Sequence, residues 1–176
     1  MSQVSSRRDE SLVIIPRRRQ KTPPRTKYVV LFKVGNQNVP VAYTDAGRTA
    51  EMSREARDEI NRFIQYVQMI HRLVSAAGGG RIHVQMSSLL PVSNGNPRVY
   101  VPDDVSVTLT SSGYEITVAP LREVKTGLRL VTISRNGRRI DEFLVSAWNT
   151  YEALKHLLAV SQAFAPTRRQ QSKVDK

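Results

Sequence analysis

The chain of 176 residues predicts an α+β fold with a mainly antiparallel β-sheet, one long helix and a C-terminal helix. Three observations point to it. Short runs rich in β-branched and aromatic residues recur between turn signals. Residues 49–77 keep a helical apolar period. A second helical pattern closes the sequence before Pro166. The two ends are basic and lack such periods. Residues 1–27 therefore read as a disordered basic arm, 28–165 as a single α+β domain and 166–176 as a disordered basic tail.

Within the arm, Leu12, Val13, Ile14 and Ile15 form an apolar island before Pro16, suited to adding an edge strand or docking in a groove of a partner subunit. YVVLFKV (28–34), a Gly35-Asn36 turn and NVPVAYT suggest an antiparallel hairpin, with Pro40 placing its strand at an edge. The long helix starts after Gly47 with Thr49 as N-cap and stops at Gly78-Gly79-Gly80. Its stripe is Met52, Ala56, Ile60, Phe63, Val67, Ile70, Val74 and Ala77, broadened by Ile64 and Leu73. Such a stripe suits a helix lying on a sheet, or a helix-helix dimer seam. Strands are expected at 81–87, 98–101, 105–110, 114–119, 128–134 and 139–145, with SSLLPVSNGNP as a loop and Ser111-Ser112-Gly113 and Asn136-Gly137 as tight turns. The closing helix takes Ser146 as N-cap, presents Trp148, Tyr151, Leu154, Leu158 and Phe164, and ends at Pro166.

Lys and Arg number 27 against 15 Asp and Glu, a formal net charge of +12. The arm holds +6 and the tail +3, leaving +3 on the long middle, so the ends set the field. A polyanion is the expected partner, and nucleic acid is the usual one, because Lys and Arg that neutralise phosphates release condensed counterions. The basic stretches lack the apolar face that an interfacial membrane helix needs, so no membrane partner is expected. The chain has no cysteine, which excludes disulfides, thiolate catalysis and cysteine-ligated metal. No apolar run, Leu12 to Ile15 included, is long enough for a membrane span or a signal core.

The side-chain inventory does not favour catalysis. His71, His83 and His156 lack partners at metal-ligand spacing, and Asp58/Glu59 and Asp141/Glu142 are neighbours whose side chains diverge in regular structure. Asp103/Asp104, in a loop after Pro102, either converge on a cation or cap a turn. Gly78-Gly79-Gly80 follows a helix, whereas a phosphate-binding loop follows a strand and opens a helix. No nucleophile elbow, kinase signature or HExxH motif occurs. A non-catalytic protein without cofactor or metal is the expectation.

RNGRR is more telling. A type I′ turn at Asn136-Gly137 makes Arg135 face Arg138 and pairs Arg139 with Ser134, crowding three guanidinium groups at one tip. Like charges in register weaken a ladder, so either a phosphate backbone or a solubilising edge accounts for them. The same pairing puts Leu128, Leu130, Phe143 and Val145 on one face and Val131, Ile133, Ile140 and Leu144 on the other, both apolar. Bases stack on aromatic rings while Lys and Arg track the backbone. Arg98 and Tyr100 share a strand face, and Tyr28 adjoins Lys27 at the foot of the arm. Aromatic content is only 6%, so most rings belong in the core, Phe63, Phe143 and Trp148 among them.

The basic arm, antiparallel sheet, basic hairpin and Trp-bearing closing helix (RNGRRIDEFLVSAWNTYEALKHLL) resemble small single-strand binders, covering in pattern residues 80–165. The hairpin-then-helix ending is similar to the whirly-type proteins, from which the long inserted helix departs. The basic, cysteine-free helix-plus-sheet layout is similar to the ThermoDBP-like single-stranded DNA-binding proteins of thermophilic archaea. The resemblance implies single-stranded DNA held by a sheet or cleft with aromatic stacking, and a dimer. The expected function is non-catalytic binding of single-stranded DNA ahead of RNA, with little sequence specificity. Arg17, Arg18, Arg19, Lys21, Arg25 and Lys27 attract phosphates, Arg135, Arg138 and Arg139 position the strand, Arg98 adds a further contact, and Tyr100 or Tyr28 stacks on bases. A homodimer or higher self-assembly is expected, in the cytoplasm or on the nucleoid. The alternative is a viral coat, nucleoprotein or other packaging protein whose arm binds genome, which brings in the virion. PRRRQK would serve as a nuclear address, and a third class is an interaction subunit of a larger nucleoprotein machine.

Overall fold

β-Branched runs punctuated by glycine and asparagine turns make the chain mainly antiparallel sheet, as the sequence predicts. The computed structural model describes residues 11–18, 24–84, 89–93, 95–120 and 127–160. The strands are β1 (Leu12–Pro16), β2 (Tyr28–Val34), β3 (Gln37–Thr44), β4 (Gly80–Val84), β5 (Leu89–Pro91), β6 (Val99–Pro102), β7 (Val105–Ser111), β8 (Tyr114–Pro120), β9 (Leu128–Arg135) and β10 (Arg138–Ser146). The helices are α1 (Arg54–Ala76) and α2 (150–160). The first sheet has the order β1-β2-β3-β6-β5 and the second β10-β9-β8-β7-β4. The chain, which the sequence reading takes as one domain over 28–165, divides into two compact units: Met1–His71 with Ile82–Val105, and Arg72–Arg81 with Ser106–Lys176. No helix among the described residues is long and apolar enough to cross a membrane.

In the first unit, Val30, Val39, Val41, Ala42 and Val99 are fully or almost fully buried, and so are Ala56, Ile60, Phe63, Val67 and Ile70 of α1. The α1 stripe is therefore core, which removes it as a seam for a second helix. A 3₁₀ turn at Thr49–Glu51 and an extended Met52 precede the helix, so Ser53, whose Oγ accepts from the Ala56 N–H at 3.1 Å, caps it instead of Thr49. The Tyr66 hydroxyl donates to Asp104 Oδ1 at 2.7 Å, and the same oxygen accepts from the Val105 N–H at 2.8 Å. Asp104 is buried and serves as a cap while Asp103 is exposed, so the two carboxylates do not converge. The β2–β3 hairpin has the expected two-residue turn, with Val34 paired to Gln37. β3 is an interior strand, contrary to the edge position expected from Pro40. Pro40 is accommodated because β6 pairs with β3 at Tyr43 and Thr44, away from the proline.

Part of the arm is ordered. Leu12–Pro16 adds to the edge of β2 in an unbroken antiparallel register, Leu12 to Phe32 through Pro16 to Tyr28, so the apolar island completes its own sheet. The predicted loop after β4 contains β5, ordered by pairing Leu89–Pro91 with β6, an effect no local propensity carries.

In the second unit, Val107, Val118 and Val131 form a row of zero exposure across β7, β8 and β9. Asn136 and Gly137 both have positive φ, 54° and 76°, as a type I′ turn requires. The predicted pairs Arg135–Arg138 and Ser134–Arg139 form. A bulge between Arg139 and Asp141 then inserts Ile140 and moves every later β10 side chain to the opposite face. Phe143 thus shares a face with Val131, and Leu144 with Leu130, the reverse of the expected sorting. Phe143 is 38% exposed, and Trp148 is 74% exposed, so neither ring is core; Phe63, at 5%, is. Trp148 stands outside the helical period because Ser146 ends β10, paired with Leu128, and α2 starts only at residue 150. The cap is Asn149, whose Oδ1 accepts from the Glu152 N–H at 2.9 Å, while Glu152 Oε2 accepts from the Trp148 N–H at 2.9 Å. Phe164, Pro166 and the 166–176 tail lie outside the described residues.

Candidate functional site

Where β3 ends and β6 begins, a polar knot brings distant basic residues together. The Thr44 hydroxyl donates to the Arg98 carbonyl at 2.7 Å and accepts from the Ala46 N–H at 3.0 Å, and the Asp45 N–H donates to the same Arg98 carbonyl at 3.1 Å. Fixed in this way, the Arg98 side chain donates from Nε to Asp45 Oδ2 at 2.7 Å and from Nη2 to the Arg25 carbonyl at 3.2 Å. The Lys27 N–H completes Asp45 by donating to Oδ1 at 3.1 Å. An open cleft of about 510 Å³ results, lined by Arg25, Lys27, Asp45, Asn96, Pro97 and Arg98. It contains three cations and one carboxylate.

Partial burial disfavours the Asp45 carboxylate, but the Arg98 and Lys27 hydrogen bonds and charges outweigh it and hold the group below the usual carboxylate range. The hydrogen bond and charge of Asp45 raise Arg98 in turn, so at neutral pH this pair is fully ionised. Asp45 has both oxygens engaged by protein donors, which leaves the Arg25 and Lys27 side chains, both exposed, to face an incoming anion.

Arg17 supports the cleft from behind. Its guanidinium lies 4.6 Å from the centre of the Tyr43 ring, and Nη1 donates to the Pro24 carbonyl at 2.8 Å and to Thr26 Oγ1 at 2.7 Å. Its backbone N–H donates to the Lys27 carbonyl at 2.8 Å. Burial lowers Arg17 despite the nearby Tyr43, and burial raises Tyr43 despite Arg17, so the ring stays a neutral phenol under the cation. Arg17, expected to attract phosphates, is thus a strut that holds Pro24–Lys27 against the first sheet. Tyr28 is half-buried, with its ring next to Gly47, where an added Cβ would come within 3.5 Å of it. Tyr100 is half-exposed, pairs with Tyr43 across β3 and β6, and interacts with Arg98. Arg18 is exposed; Arg19 and Lys21 lie outside the described residues.

The hairpin arginines belong to the second unit. Tyr114, Arg135 and Arg138 stand in one cross-strand row, with the Arg135 guanidinium 5.1 Å from the Tyr114 ring centre and Nη1 donating to the phenol oxygen at 3.4 Å. Arg139 pairs with Glu142 at 3.0 Å. The ring and the carboxylate relieve part of the like-charge crowding, and Arg138 stays exposed.

Sequence reasoning missed Asp45, Tyr43 and Tyr114. Tyr114 carried a signal, since pairing through Ser112-Gly113 and Asn136-Gly137 places it in register with Arg135. Asp45 carried none, because only the meeting of β3 with β6 reveals its partner. Among the described residues no three His, Cys, Asp or Glu side chains cluster to hold a metal ion. Comparison with protein-family models, with curated proteins and with solved structures finds no match for the chain.

Proposed function

We propose that the protein binds nucleic acid without catalysis, single-stranded DNA ahead of RNA and with little sequence specificity. The observation that carries this reading is the meeting of Arg25, Lys27 and Arg98 in one open cleft whose single carboxylate is already engaged. A phosphodiester is a fitting occupant, because its oxygens accept from Arg and Lys while its neighbouring base can stack on a ring, and the partly exposed Tyr100 lies beside Arg98. The Tyr114–Arg135–Arg138 row repeats the pairing of cation and ring on the second unit. The remaining arm and tail charges add affinity without selectivity.

Fluorescence anisotropy with single-stranded DNA, duplex DNA and single-stranded RNA across a salt series tests this. Single-stranded DNA is expected to bind tightest. Joint Arg25→Ala and Lys27→Ala replacement is expected to lower affinity and to reduce the salt slope by about two, roughly one for each phosphate no longer neutralised. Unchanged affinity and slope in that variant would remove the cleft as the site.

A further inference from the structure

Trp148 is the only tryptophan of the chain and is 74% exposed, although tryptophan is highly buried on average. The fold nevertheless holds it in place. Its backbone N–H donates to Glu152 Oε2 at 2.9 Å, and its carbonyl accepts from Arg129 Nη2. Gly127, at a positive φ of 66°, accepts at its carbonyl from the Ala147 N–H. The indole lies next to this glycine, where an added Cβ would come 3.2 Å from Trp148 Cε3 and 3.4 Å from Cδ2. The ring therefore sits against a turn and leaves most of its surface to solvent.

An aromatic ring that folding has already fixed loses little freedom when a ligand stacks on it. Its chain neighbours do not extend it into an apolar patch, since Ser146 and Asn149 are polar and Ala147 and Thr150 are buried. Leu144, the nearest large exposed hydrophobic residue in sequence, is four positions away on β10. A protein interface sets such a ring within a wider apolar surface, whereas a nucleobase needs only its π face. The occupant must also suit a chain of net charge +12. We propose that Trp148 stacks on a base of single-stranded nucleic acid. The inference rests on the nucleic-acid reading above and gives the second unit a base contact, whereas Arg25, Lys27 and Arg98 belong to the first.

The charges bonded to the Trp148 backbone balance, with Arg129 at the carbonyl and Glu152 at the N–H, so the site offers stacking and no net charge. Cations stand farther along the same sheet. β9 runs from Leu128, which follows Gly127, to Arg135 of the Tyr114–Arg135–Arg138 row, about 23 Å at about 3.3 Å per residue. About seven stacked nucleotides cover that distance.

Because the chain has one tryptophan, its intrinsic fluorescence reports on this residue alone. The full chain is titrated with oligothymidylate of about 15 nucleotides, and in parallel with oligouridylate, while the anisotropy of a labelled oligomer records binding independently. Binding is expected to quench the tryptophan emission. Trp148→Ala is expected to raise Kd about ten-fold and to leave the salt slope unchanged, because no phosphate contact is lost. Trp148→Phe is expected to keep most of the affinity, and Trp148→Leu, apolar but not aromatic, to bind as weakly as Trp148→Ala. A ring so exposed is not needed for folding, so circular dichroism is expected to stay the same in all three. Binding without quenching, or Trp148→Ala and Trp148→Leu chains that bind as tightly as the unmodified one, overturns the proposal and leaves the nucleic-acid reading standing. No anisotropy change with either oligomer overturns both. Emission from the chain alone that moves to shorter wavelength as its concentration rises places the ring between copies, and that also overturns the proposal.

Discussion

Arg17 and Asp45 show how single residues position the cleft without being its binding groups. Arg17 directs its donors to Pro24 and Thr26 and its π contact to Tyr43, which fixes the segment that presents Arg25 and Lys27. Asp45 joins that segment to β6 by accepting from Lys27 and Arg98. Because folding holds the Asp45 carboxyl below its ordinary value of about 4, ionisation stabilises the folded chain above that pH. The stabilisation disappears as pH falls through the depressed value. Urea unfolding at about pH 5 and about pH 2.5 is expected to show Asp45→Asn losing less stability on acidification than the unmodified chain, the difference staying within about 1 kcal/mol for so accessible a pair. The basic character of Arg25, Lys27 and Arg98 was legible in the sequence, but their common location was not, since Arg25 and Arg98 lie 73 positions apart.

At the scale of elements, local patterns located most strands and both helices, and the misses fall where pairing overrides pattern. β5 exists because β6 offers it an edge, and β1 because β2 does. The β10 bulge had no marker in RRIDEFLVS, and one inserted residue was enough to exchange its faces. Gly80, read from sequence only as part of a helix stop, has a second role at the start of β4. A Cβ there would fall well inside contact distance of the Thr108 carbonyl oxygen and 3.0 Å from Leu109 Cα, both backbone atoms of β7 that cannot swing aside. Gly80→Ala is therefore expected to destabilise the protein by about 2–4 kcal/mol, read as a lower urea midpoint.

For the whole molecule, the arm is both a charge reservoir and a structural component. Deleting residues 1–27 takes away β1, uncovers the β2 edge and removes Arg17 from Tyr43. The expected loss is about 2–4 kcal/mol, from the apolar burial of Leu12 and Ile14 together with the strut, and a thermal melt of the shortened chain measures it. A shortened chain melting with the full one would show that neither contributes. Composition and periodicity by themselves determined the α+β class, the net positive charge and its concentration toward the ends, the α1 stripe and the arginine hairpin, because each depends on neighbours within a few positions. Tertiary structure alone decided which strands lie at edges, that the arm closes its own sheet, that Trp148 faces solvent and that Arg25, Lys27 and Arg98 share a cleft around Asp45. Those outcomes depend on pairings between segments far apart in the chain, whose energies no local pattern encodes.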